Sequence, residues 1–136
     1  MAGKGLWLRG IALGAVVLMA AAAGHGFDGN DVLKLKTTKR CRSCDLYAAD
    51  LAGASLSRAD LTGSNLAGAR LTGAILAGAY LVNVDLTGAD LTGADLTGAE
   101  LIDARLTGAI LTGAKLEGAV WTDGRTCGPG SLGACK

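Results

Sequence analysis

Two sets of side chains in this 136-residue chain have the types and spacing to do chemistry. Cys41 and Cys44 form a CRSC tetrad, and Cys127 and Cys135 make a second couple near the other end. A CxxC spacing suits dithiol–disulfide exchange, a metal ion or a structural bridge. Seven carboxylates, Asp45, Asp50, Asp60, Asp85, Asp90, Asp95 and Glu100, each stand immediately before a leucine. Paired acids suggest hydrolysis. The rest of a catalytic apparatus is missing: the only histidine is His25, and there is no Ser-His-Asp set. The acids and the glycines both recur with a fixed period. GxxxxG matches are therefore artefacts of that period, and the carboxylates read as a solvated face. No catalytic, cofactor-binding or metal-ligating residue is assigned, and the chain is read as non-enzymatic.

The period itself decides what positions these groups. Residues 89–103 read ADLTG ADLTG AELID, with leucine at every fifth place. Five residues advance a helix by about 500°, so the leucines would share no face. In a flat strand an odd spacing alternates them between faces. A fixed short period instead signals stacked repeats. Sixteen units run without insertion from Cys44 to Asp123: CDLYA, ADLAG, ASLSR, ADLTG, SNLAG, ARLTG, AILAG, AYLVN, VDLTG, ADLTG, ADLTG, AELID, ARLTG, AILTG, AKLEG, AVWTD. Alanine stands two before the leucine except at Cys44, Ser64 and Val84, and the fifth residue is usually a glycine suited to a tight turn.

These units resemble the pentapeptide repeat family, whose pattern is A(D/N)LXX. The resemblance implies an all-β fold, a right-handed quadrilateral β-helix with four pentapeptides per square coil. The leucine and the small residue two before it would point inward. Sixteen units then make about four coils, a solenoid roughly 20 Å long at about 4.8 Å per coil. The exceptions to the terminal glycine after Gly63, namely Asn83, Asp103 and Asp123, recur every twenty residues, as four-sided coils require.

Four segments follow. Residues 1–23 have the charged start (Lys4, Arg9), short apolar run and Ala21-Ala22-Ala23 site of a secretory signal peptide. Residues 24–43 form an N-terminal cap, 44–123 the solenoid, and 124–136 a Gly-rich C-terminal capping tail. Within the first cap, Asn30 or Asp31 could begin a short helix carrying Val32, Leu33 and Leu35. Many family members place such a helix and a CxxC just before the first coil. The localisation expected is periplasmic or secreted; an uncleaved membrane anchor is the alternative. Cysteines in an exported chain point to disulfides, and four cysteines allow three pairings. In the rod that the resemblance implies, the two caps lie too far apart to bridge, which leaves Cys41–Cys44 and Cys127–Cys135. A zinc site using all four would need the ends to meet. A thioredoxin-like redox CxxC would open a helix in a βαβ unit, and none exists here.

Residues 44–123 carry ten acids against Arg58, Arg70, Arg105 and Lys115, whereas Lys34 to Arg42 holds five basic residues. The formal net charge of +1 thus hides a basic cap on an acidic rod. Some cytoplasmic pentapeptide proteins mimic DNA and inhibit DNA gyrase, which is the alternative function. The export signal and the interspersed cations argue against it, and no nucleic-acid partner is expected. Stacking at twenty residues would set Asp50 and Asp90 beside Arg70, Asp85 beside Arg105 and Asp95 beside Lys115. It would also gather Tyr80, Val82, Ile102 and Val120 on one side, the candidate surface for an unknown protein partner or a weak homodimer. The Thr72, Thr92, Thr112 column invites comparison with ice-binding helices. Asp103 and Asp123 alone offer too few oxygens for calcium.

Overall fold

The computed structural model describes residues 26–136. The signal segment, its membrane-anchor alternative and His25 lie outside the described residues. Parallel bridges join each residue before a leucine to its counterpart twenty positions on, from Arg40↔Asp60 to Glu100↔Val120. Twenty residues are four units, so every coil has four sides. The first side stacks Arg40, Asp60, Tyr80, Glu100 and Val120, and the second Asp45, Asn65, Asp85 and Arg105. The third stacks Asp50, Arg70, Asp90 and Ile110, and the fourth Ser55, Ile75, Asp95 and Lys115.

Five residues suffice for one side because three are extended and two turn the corner. On the extended part, the Leu51 N–H donates to the Arg70 carbonyl at 2.8 Å and the Arg70 N–H to the Ala49 carbonyl at 2.9 Å. The corner ends in the left-handed region, which explains the terminal glycine; Gly73, for example, sits at φ 65°. Asn83 and Asp103 take the same conformation at φ 55° and 56°, as Asn and Asp tolerate better than most residues. Leucines from Leu46 to Leu101 and the alanines two before them fill the interior. Leu106 and Leu111 are only partly buried because no fifth coil covers them.

Two boundaries differ from the leucine pattern. Arg40 already bridges Asp60, so residues 39–43, KRCRS, are the first side of the solenoid. Cys41 takes the leucine place there, fully buried, and a pattern aligned on leucine misses it. The helix α1, Gly29–Thr38, is capped by Asp28, whose carboxylate accepts the Asn30 N–H at 2.8 Å. Neither Asn30 nor Asp31 is the cap. Asp31 instead accepts the Asp45 N–H at 2.8 Å, while the Asp28 N–H donates to the Asp45 carbonyl at 2.9 Å. Val32 and Leu35 are buried against the first coil and Leu33 is exposed. α1 thus lids the N-terminal opening and satisfies edge groups that would otherwise invite pairing. No helix among the described residues is long and apolar enough to cross a membrane.

At the other end the tail turns back over the last coil. Thr126 bridges Val120 and Leu132 bridges Lys115, both antiparallel. The first and fourth sides are covered in this way.

Candidate interaction surface

The cysteines occupy interior positions. Cys41 is bonded to Cys44 and Cys127 to Cys135, with Cα separations of 5.4 and 4.8 Å. The first bridge joins a leucine place to the alanine place of the next unit. Ser64, directly above Cys44, donates to the Cys41 carbonyl and accepts the Cys44 N–H at 3.1 Å. Its hydroxyl is buried and fully used. The signal for this role was present in the sequence, because Cys44, Ser64 and Val84 depart from alanine at intervals of twenty. Asp31, Cys41 and Cys44 are the one cluster of three potential metal ligands among the described residues. Both of its sulfurs are committed to the bridge. Asp103 and Asp123 belong to no such cluster.

The expected stacking of charges is realised as neighbours on the ladders. Arg70 meets Asp50 at 3.4 Å and Arg105 meets Asp85 at 3.9 Å. Asp90 borders Arg70 and Asp95 borders Lys115. These pairs are solvated, so each contributes at most about 1 kcal/mol. A tighter contact runs within units that carry Asp-Leu-Thr: Thr92 and Thr97 donate hydroxyl and backbone N–H to Asp90 and Asp95. A threonine two residues after an aspartate is therefore a carboxylate clamp, and the Thr92 hydroxyl of the threonine column is already engaged.

Those clamps hold acids below their ordinary pKa. The hydroxyl and then the N–H of Thr87 lower Asp85, those of Thr92 lower Asp90, and the Thr97 hydroxyl lowers Asp95. A folded pKa below the unfolded one means the ionised form favours the fold. That contribution is present above the unfolded carboxylate pKa of about 3.9 and is lost as pH falls through the folded value. Melting temperature should therefore stay level from neutral pH towards 5 and drop below about 4. A Thr87→Val, Thr92→Val, Thr97→Val variant should begin its acid unfolding at higher pH. Coincident acid limbs in circular dichroism would show that the clamps do not set the acid stability.

The first side carries the proposed site residues. Tyr80, Glu100 and Val120 are successive rungs of one ladder, and Val82 and Ile102 follow one another on the adjoining corner. Tyr80 is 46% and Ile102 36% exposed, whereas Val82 and Val120 are partly covered. The strip has an extension that leucine alignment did not reveal. Below Tyr80 lies a groove of about 460 Å³ lined by Thr38, Lys39, Arg40, Arg42, Arg58, Asp60 and Tyr80. A Cβ placed on Gly78 would meet the Arg58 side chain at 3.4 Å, so the arginine stem lies along that corner. Arg42 pairs with Asp60 at 3.6 Å. One side of the rod thus presents a cationic groove continuous with an exposed tyrosine and an aliphatic edge. The basic run 39–42 reaches Tyr80 because it is itself the first rung of that side.

A square coil of five-residue sides with leucine and alanine inside defines a class of protein, and the sequence comparison agrees with it. The pentapeptide repeat pattern matches residues 40–78 and 79–118 in eight copies, and the chain belongs to the pentapeptide repeat family, whose members form right-handed β-helices. No curated protein matches the chain. Solved structures do. A pentapeptide repeat protein from the thylakoid lumen of Arabidopsis thaliana is 41% identical, with TM-score 0.57, over 73% of this chain and 63% of that one. The chain therefore spans less than two thirds of that protein. A pentapeptide repeat protein from Nostoc PCC 7120 is 39% identical, with TM-score 0.61, over 67% of this chain and 77% of that one. Another, from the cyanobacterium Cyanothece 51142, is 31% identical, with TM-score 0.54, over 66% and 82%.

Proposed function

We propose that this protein is an exported, non-enzymatic docking module that binds a protein partner along its first side. The observation that carries the reading is the continuity of the cationic groove with Tyr80, Val82 and Ile102. Such a side fits a partner that offers a carboxylate next to an apolar side chain. Tyrosine and arginine are the residue types that most often anchor protein interfaces. Export is supported by the signal-like residues 1–23, by two disulfides and by the lumenal location of the Arabidopsis relative. A homodimer through the same strip is less favourable, because Glu100 lies between Tyr80 and Val120 and would confront its own copy. The DNA-mimic alternative suits this surface poorly, since three arginines and Lys39 line its groove.

The reading is tested by immobilising the purified protein and capturing partners from the exported fraction of its source cells. A partner held by the parent should be lost by Tyr80→Ser, Ile102→Ser and weakened by Arg42→Ala, Arg58→Ala. Identical captured sets for parent and variants would leave the first side without a binding role.

A further inference from the structure

The C-terminal end is half closed. The tail covers the fourth side by accepting the Leu116 N–H at the Ser131 carbonyl and donating the Gly133 N–H to the Ala114 carbonyl. It covers the first side in the same manner, with Trp121 N–H to Arg125 carbonyl and Cys127 N–H to Ala119 carbonyl. The second and third sides have no such cover. Around Arg105 the Ala104 carbonyl and Leu106 N–H, and around Ile110 the Ala109 carbonyl and Leu111 N–H, bond to no described residue. Ile110 is 47% exposed beside them.

The tail carries the matching set. In each antiparallel bridge the residues on either side of the bridged one turn inward to the coil. The N–H and C=O of Leu132 and of Thr126 therefore turn outward, and neither residue's backbone is bonded to a described residue. Leu132 is 59% exposed. A parallel rung needs one residue whose N–H and C=O both face the edge, opposite a carbonyl and an N–H two residues apart. Leu132 is that residue for the Ile110 edge, and Thr126 is that residue for the Arg105 edge.

We propose that two copies of this chain join end to end through their C-terminal rims. A two-fold axis through the corner between the third and fourth sides swaps those sides and also swaps the first and second. Each copy's tail then lies over the other's open sides. The inverted copy reverses the coil direction and the tail reverses it again, so tail and open edge run parallel, as the rung requires. Leu132 of one copy stacks beside Ile110 of the other, removing two exposed aliphatic side chains from water. The contact is isologous and closed, so it stops at two chains rather than growing into a fibre. At the N-terminal end α1 bonds the Asp45 edge.

Sedimentation of the purified protein over a concentration series tests the proposal. The parent should pass from one-chain to two-chain mass. Ile110→Asp should remain at one chain and still melt cooperatively, with the curve of the dilute one-chain parent, because aspartate already fills that place in units such as 89–93 and 94–98. Leu132→Asp, in the tail, should do the same by an independent route. Tyr80→Ser, Ile102→Ser should not alter the mass, which separates this contact from the first side. One-chain mass for the parent throughout, or two-chain mass that survives both aspartate variants, would overturn it. Dissociation by the Tyr80, Ile102 variant alone would also overturn it and move the contact to the first side.

Discussion

Leu91→Asp is expected to abolish the fold. Leu91 is fully buried, in the third-side stack between Leu71 and Leu111, and its N–H is bonded to the Ile110 carbonyl at 2.8 Å. The surrounding interior is leucine and alanine, with no cation or donor to receive a carboxylate. An unpaired buried charge costs several kcal/mol, comparable with the whole stability of a small domain, about 5–15 kcal/mol. A solenoid is stabilised by contacts between neighbouring coils, so a failure in the middle divides it into two short stacks. The purified variant should show no cooperative melting and no β-type circular dichroism. Leu91→Ala leaves a cavity only and should fold with a loss of about 2–5 kcal/mol. Leu111→Asp, at the partly open rim, should be the mildest of the three. A cooperative transition in Leu91→Asp would sink the inward-leucine assignment.

Removing the first bridge with Cys41→Ala, Cys44→Ala should lower stability without removing any reaction. Closing so short a loop restrains the unfolded chain by roughly 2 kcal/mol, and the vacated sulfurs add a cavity at the base of the first coil. The melting temperature should fall by several degrees, and α1 should exchange its amides faster. Dithiol–disulfide exchange requires a thiolate to reach a sulfur along the bond axis. Both cysteines are almost fully enclosed by α1, Ser64 and the first leucines. The parent is therefore expected to show no exchange activity. Insulin reduction catalysed by the parent and lost in the double variant would put a redox function in place of a staple.

Much of the architecture was legible because each unit states its own local rule. Leucine, alanine and a left-handed fifth residue recur so regularly that neither a helix nor a flat strand can accommodate them. The twenty-residue recurrence of Asn83 and Asp103 marks the coil. Residues that broke the rule were harder to read. Cys41 occupies a leucine place without being leucine, so a pattern aligned on leucine places the first unit in the cap. Asp28 displaced Asn30 and Asp31 as the helix cap because Asp31 is engaged by the edge of the first coil. The groove is written in no single unit, because Arg58 and Tyr80 are far apart in sequence and meet only through the stacking of unlike units.

The sequence alone determined stacked repeats with a period of five and a super-period of twenty. The square coil, its inward residues and the pairing of four cysteines within a rod are what the resemblance to the family implied. A period is local information repeated. The tertiary structure decided what happens where repetition stops: which residues close each end and which backbone groups are left facing outward. It also brought the cations of the first unit against Tyr80. Such features depend on how non-repeating segments fold back onto the last regular coil. That geometry is set by hydrogen-bond register across the gap, which no spacing along the chain records.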